Sequence, residues 1–74
     1  MYYTLEGQEG NAYSLLGYTE DAMQDSGFTK DDVNKMYEEA TSGDYNNLIC
    51  VCSDYCAKCN EKMGYTEDDE EEDW

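Results

Sequence analysis

The chain has 74 residues, of which 19 are Asp or Glu and only 4 are Lys, and its formal net charge at pH 7 is −15. A chain of this length forms one domain at most, with little apolar core. Its negative charge repels nucleic acids and anionic membranes and favours a basic protein as the binding partner. Because the sequence contains no His and no Arg, the usual proton shuttle and anion clamp are missing. We therefore expect neither enzymatic activity nor a cofactor.

The N-terminal sequence has neither the basic start nor the apolar core of a signal peptide. No stretch approaches the roughly 18 apolar residues that a membrane-spanning helix requires. We therefore expect a cytoplasmic protein, whose reducing surroundings disfavour disulfide bonds.

The segment from Tyr2 to Glu6 has the aromatic and β-branched residues of a short β-strand, and Gly7 and Gly10 indicate a turn after it. No second strand is evident, so the backbone groups of this strand need a partner. We predict that it pairs with another chain, as in a homodimer; a frayed terminus is the alternative. The residues predicted to pair are Tyr2, Tyr3, Thr4 and Leu5.

The first predicted helix starts near Asn11 or Ser14 and ends before Gly27, which has the position of a residue just past a helix end. Its apolar residues recur at the spacing of one helical face. They are Ala12, Leu15, Leu16, Ala22 and Met23. Gly17 weakens the middle of this helix, so a bend or break is expected at residues 17–19.

The second predicted helix is capped by Thr29, and Asp31 and Asp32 place negative charge on its first turn, where the helix dipole favours it. Phe28 and Val33 have the spacing of a hydrophobic staple. The helix ends at residues 42–43. Its buried stripe is predicted to consist of Val33, Met36, Tyr37 and Ala40.

The third predicted helix is capped by Asp44 and runs to about Met63, with Gly64 as its stop, a length of roughly 28 Å. Its apolar face is predicted to contain Leu48, Ile49, Cys52, Tyr55, Cys56, Cys59 and Met63. The predicted fold is therefore mainly α. It is a compact three-helix domain over residues 1–64, with a short N-terminal β-strand and an acidic tail over residues 65–74.

Seven consecutive carboxylates precede Trp74 at the end of the sequence, and such a run is expected to be disordered. An acidic run that ends in an aromatic residue and a free carboxylate resembles the C-terminal tips of single-stranded-DNA-binding proteins. Those tips dock on basic pockets of partner enzymes. Only residues 67–74 share this pattern, which predicts a docking device at most; a solubilising tail is the alternative.

Four cysteines follow the spacing C-x-C-x3-C-x2-C between Cys50 and Cys59. On a helix, Cys52, Cys56 and Cys59 share a face, whereas Cys50 lies about 200° away from Cys52. A zinc ion needs four ligands that converge tetrahedrally, and no Gly or Pro interrupts this segment. We therefore predict no metal site and place the other three cysteines in the core; zinc binding and redox chemistry are the alternatives.

Acidic residues occur in all three predicted helices, and the first 65 residues alone contain 12 acids against 4 Lys, a net charge of −8. Duplex DNA carries one negative charge per about 1.7 Å of its axis. A body covered with carboxylates, doubled in a dimer, presents comparable charge to a groove built for nucleic acid. The residues predicted to bind such a partner are Glu20, Asp21, Asp25, Asp31, Asp32, Glu38, Glu39, Glu67, Asp68, Asp69, Glu70, Glu71, Glu72, Asp73 and Trp74.

Three stretches together resemble a group of short, mostly uncharacterised bacteriophage proteins. They are residues 10–17, which have a GNAF-like opening, Thr29 at the second helix, and residues 40–48, which contain an SGDYxNLL-like start of the third helix. The resemblance covers roughly residues 4–60, and Tyr13 stands where Phe is usual. It implies a phage setting, in which small acidic proteins often disarm host defences, and it carries over no activity.

The leading hypothesis is a non-enzymatic, phage-type inhibitor of host defence, of the anti-CRISPR or anti-restriction kind. It would occupy a basic nucleic-acid-binding surface of a host protein. One alternative is a protein that sequesters a small signalling molecule, with the N-terminal tyrosines and Asn11 at the site. Binding of phosphate would then need convergence of Lys30, Lys35, Lys58 or Lys62. A second alternative is a zinc-binding adaptor.

Overall fold

A computed structural model describes residues 2–8 and 10–65 of the chain. It contains three helices, α1 at Ala12–Asp25, α2 at Lys30–Ala40 and α3 at Tyr45–Met63. Each helix packs against the other two. Over these residues the protein is thus mainly α with three helices, as the sequence predicts. Over the described part of the chain, no helix combines the length and the apolar character needed to cross a membrane.

The three helices begin at the side chains that the sequence indicates. The Asn11 side chain accepts hydrogen bonds from the backbone N–H groups of Tyr13 and Ser14. Thr29 forms a capping box, in which its hydroxyl accepts from the N–H of Asp32 and the Asp32 carboxylate accepts from the N–H of Thr29. Side-chain caps of this kind satisfy backbone donors that the first turn of a helix leaves unpaired.

The core lies where the three apolar helix faces meet. Its fully buried side chains include Met23 of α1, Met36 of α2, and Cys52 and Cys59 of α3. Thr19 is also buried, which the apolar pattern does not predict. Its hydroxyl can be buried because it donates a hydrogen bond to the carbonyl of Leu15 at 2.8 Å. The rest of the core cluster consists of Leu15, Leu16, Ala22, Val33, Ala40, Leu48 and Tyr55.

Two details of the predicted helices are wrong. Helix α1 is continuous through Gly17, without the expected break. Met63 is 41% exposed, because it lies in the last turn of α3, beyond the end of the packed core. Gly64 ends α3 in the left-handed conformation with φ of 78°, which glycine adopts without steric cost.

The N-terminal segment at residues 2–8, here named the strap, is not the predicted β-strand; no strand occurs among the described residues. The N–H of Tyr3 donates to Oδ1 of Asn60 at 2.6 Å, and Nδ2 of Asn60 donates to the carbonyl of Tyr3 at 2.8 Å. The N–H of Thr4 donates to the Tyr18 hydroxyl at 3.0 Å. Side chains of α1 and α3 therefore satisfy backbone groups that a neighbouring strand was predicted to pair.

Pairing of two chains through this segment stays a prediction. The strap is anchored within its own chain by the Tyr3–Asn60 contact, and Tyr3 and Leu5 pack against the core cluster. A strand of a second chain would have to replace the bonds to Asn60. The predicted tail residues from Glu67 to Trp74 lie outside the described residues.

Candidate partner-binding surface

Three of the carboxylates predicted to bind a partner make contacts inside the domain. Glu20 accepts a hydrogen bond from the Tyr37 hydroxyl at 2.7 Å, which joins α1 to α2. Glu39 accepts from the Tyr55 hydroxyl at 3.2 Å, which joins α2 to α3. Asp32 belongs to the capping box of α2. These three side chains contribute to the fold and are less free to contact a partner.

The same contacts shift the pKa values of the groups involved. The Glu20 carboxylate beside the Tyr37 hydroxyl raises the pKa of Tyr37 to about 12, because it accepts the phenol proton and opposes a second negative charge. Burial and then the bond to Glu39 raise the pKa of Tyr55. The hydrogen bond from the backbone of Thr29 lowers the pKa of Asp32. Both tyrosines therefore remain hydrogen-bond donors at neutral pH.

The other predicted partner-binding carboxylates of the helices are exposed on α1 and α2. They are Asp21, Asp25, Asp31 and Glu38. None makes a side-chain hydrogen bond to another residue of the described segments. Since α1 carries no lysine, its charged surface is entirely acidic. The four groups are thus divided equally between two of the three helices.

Two of the four lysines lie over aromatic rings. The Lys58 ammonium is 4.6 Å from the centre of the Tyr55 ring, and the Lys62 ammonium is 5.0 Å from the centre of the Phe28 ring. At these distances the cation is attracted by the negative face of the ring. Both belong to the C-terminal half of α3, and Lys30 and Lys35 belong to α2; all four lysines are exposed.

An open groove of about 590 Å³ runs along the C-terminal half of α3, and we name it the α3 groove. Its lining includes two aromatic side chains, two carboxylates and one ammonium group. These are Tyr2, Tyr65, Asp54, Glu61 and Lys58, and they lie beside Ala57. The centre of the Tyr3 ring lies 5.7 Å from that of Tyr65, the second residue after α3, so the strap and the chain beyond α3 meet beside this groove.

The α3 groove was not predicted from the sequence. Asp54, Ala57, Glu61 and Gly64 recur at intervals of three and four residues, which places them on one helical face. This spacing was the available signal. Tyr2 joins them only because the strap crosses the bundle, and no sequence pattern indicates that contact.

The cysteines occupy the positions that helical geometry predicts. Cys52, Cys56 and Cys59 are buried, and Cys50 is exposed. Burial raises the pKa of all three buried thiols, that of Cys56 to about 11, so they are protonated at neutral pH and are poor nucleophiles and metal ligands. Within residues 2–8 and 10–65, no group of three or more His, Cys, Asp or Glu side chains has the arrangement of a metal site.

Asn11, which the alternative of a small-molecule site invokes, caps α1 through two backbone hydrogen bonds. The residue is exposed. Its conformation is thus explained by the start of the helix, without a ligand.

No protein-family model, curated protein or solved structure shows significant similarity to this chain. The site must therefore be interpreted from its own geometry and charge.

Proposed function

We propose that the protein is a non-enzymatic, acidic binding protein that occupies a basic, nucleic-acid-binding surface of another protein. The proposal rests on exposed carboxylates that the described domain does not use for internal hydrogen bonds. They are Asp21, Asp25, Asp31, Glu38, Asp54 and Glu61. A short chain that retains so many uncompensated charges is destabilised by their mutual repulsion, and a cationic partner removes that cost.

The phage-type resemblance of the sequence supports a narrower form of the proposal. In that form, the protein inhibits a host defence of the anti-CRISPR or anti-restriction kind in the host cytoplasm. Its carboxylates would stand in for nucleic-acid phosphates. Such mimicry needs no base-specific contacts, since phosphate contacts supply most non-specific nucleic-acid affinity and make it strongly dependent on salt.

The test is affinity capture from a bacterial lysate at low and at high sodium chloride, with and without added duplex DNA. We expect basic nucleic-acid-binding proteins to be retained at low salt, and to be displaced both by high salt and by DNA. A partner that stays bound under both conditions would contradict charge mimicry, as would tight binding of the protein itself to DNA.

Two variants of equal charge make this test specific. Asp21→Asn with Glu38→Gln neutralises exposed carboxylates without internal hydrogen bonds, whereas Glu20→Gln with Glu39→Gln neutralises the acceptors of Tyr37 and Tyr55. The first double variant should weaken capture and raise thermal stability slightly, because it relieves charge repulsion. The second should weaken capture less and lower thermal stability, because it replaces the acceptors of two interhelical hydrogen bonds.

The alternative of a small-molecule sequestering protein has one supporting observation, the α3 groove with its two tyrosines. Asp54 and Glu61 in the same groove oppose a phosphate-bearing ligand, which makes this the second candidate. Isothermal calorimetry with cyclic and linear nucleotides distinguishes the two functions. Saturable heat would favour the sequestering function, and its absence would favour the basic protein partner.

A further inference from the structure

The α3 groove combines features that suit one kind of side chain. Tyr2 is 38% exposed, and it lines the groove together with Tyr65. Both are held in place through Asn60, which bonds to the backbone of Tyr3 and whose own carbonyl accepts from the N–H of Tyr65 at 2.8 Å. The backbone next to Tyr2 and the backbone of Tyr65 are therefore fixed before any partner arrives, which lowers the entropic cost of binding.

The charges along the α3 groove favour a cation. Asp54 and Glu61 are both exposed and lie seven residues apart on one helical face, about 10 Å along the axis. Lys58 lies between them in sequence, but its ammonium group is placed over the Tyr55 ring. The net charge of the lining is thus −1, because it contains two carboxylates and one ammonium group.

We infer that the α3 groove receives an arginine side chain from the surface of the basic partner. A guanidinium group stacks on tyrosine rings and pairs with a carboxylate through two parallel hydrogen bonds, and it is more easily desolvated than an ammonium. The tyrosines and the carboxylates of the groove supply both kinds of contact. This inference rests on the proposed function and identifies where binding is anchored.

The experiment uses the full chain and a tri-arginine peptide with blocked ends as the probe. Binding is followed by the amide chemical shifts of Tyr2, Gly64 and Tyr65, so that contacts elsewhere on the chain are read separately. Asp54→Asn with Glu61→Gln should weaken the affinity at these amides about five- to tenfold. The double variant Asp21→Asn with Glu38→Gln removes the same charge from α1 and α2. It should weaken capture of the whole partner but change the affinity for the peptide at the groove amides less than about twofold.

A second pair of variants tests the aromatic contact. Tyr2→Leu should weaken peptide binding about threefold, because the ring that stacks on the guanidinium is lost. Tyr13→Leu is the matched control, since Tyr13 is 85% exposed at the start of α1 and does not line the groove. A tri-lysine peptide should bind more weakly than tri-arginine to the unmodified protein.

The outcomes separate this inference from the proposed function. If the two double carboxylate variants lost peptide affinity equally, or if shifts were confined to residues outside the groove, the groove would not be the arginine site. The proposed attraction between the acidic protein and a basic partner would still stand. If neither peptide bound even at low salt, both proposals would be wrong. A loss confined to the variants of Asp54, Glu61 and Tyr2 would establish the groove as the anchor.

Discussion

The bond between Asn60 and the strap gives the sharpest quantitative prediction. Asn60 is only 5% exposed, and its side chain both accepts from the N–H and donates to the carbonyl of Tyr3, at 2.6 and 2.8 Å. A net contribution of about 0.5–1.5 kcal/mol for each hydrogen bond gives about 2 kcal/mol for the pair. Asn60→Ala should therefore lower the free energy of strap opening by about 2 kcal/mol.

Amide hydrogen exchange measures this opening directly, because the Tyr3 N–H is one of the two bonded groups. A loss of about 2 kcal/mol speeds its exchange roughly thirtyfold, while amides in the middle of α3 should change far less. The control is Asn46→Ala, which makes the same chemical change at an exposed position of the same helix. Replacing Asn by Ala raises the helix propensity in both variants, so this effect cancels when the two are compared.

Two results would refute this reasoning. If Tyr3 exchanged equally fast in Asn60→Ala and in the unmodified protein, the bond to Asn60 would not hold the strap in solution. If Asn60→Ala sped exchange of Tyr3 and of the α3 core amides by the same factor, the strap would open only with global unfolding. The second result would mean that the strap is part of the core and not a separately attached segment.

The remaining predictions concern caps, an interhelical hydrogen bond and the buried thiols. Thr29→Ala removes the capping box and should lower the free energy of unfolding by about 1 kcal/mol in urea denaturation. Tyr37→Phe should cost about 1 kcal/mol and remove a phenol that titrates at about pH 12 in a spectrophotometric titration. The folded-state pKa of Cys56 is raised from the ordinary 9.0 to about 11, so its contribution to stability is complete below pH 9.0 and is lost as the pH rises through 11. The urea midpoint should therefore fall over that range, and less steeply in Cys56→Ala.

Much of the helical architecture follows from short sequence signals. Thr29 and Asp44 act as the predicted caps, and Asn11, one of the two predicted starts of α1, caps that helix. Capping can be predicted because it depends on one side chain and backbone groups two or three residues away. The buried face of the cysteine helix was predicted for the same reason, since helical periodicity alone separates Cys50 from Cys52, Cys56 and Cys59. Such local rules do not depend on how the helices are arranged.

The strap and the α3 groove were missed because they depend on long-range contacts. Residues 2–6 have strand propensity, yet the backbone of Tyr3 bonds to the side chain of Asn60, 57 positions away in sequence, and the N–H of Thr4 bonds to the Tyr18 hydroxyl. β-propensity mainly reports how well side chains suit a half-buried surface. The strap lies half-buried against α1 and α3, so the same residues suit this position without forming a strand. Asn60 itself appears in sequence as an ordinary polar residue near the end of a helix.

The acidic residues of the helical domain divide into two groups with different consequences for function. Asp32 and Asp44 cap helices, and Glu20 and Glu39 accept tyrosine hydrogen bonds, so these four acids stabilise the domain despite its negative charge. Their presence is explained by folding and is no evidence for a partner. The exposed group, exemplified by Asp21 and Glu38, makes no such contacts within the described segments. Electrostatic repulsion within the exposed group opposes folding, whereas the interaction of the same carboxylates with a cationic surface is attractive. A basic partner would therefore contact the second group, which carries only part of the total charge of −15.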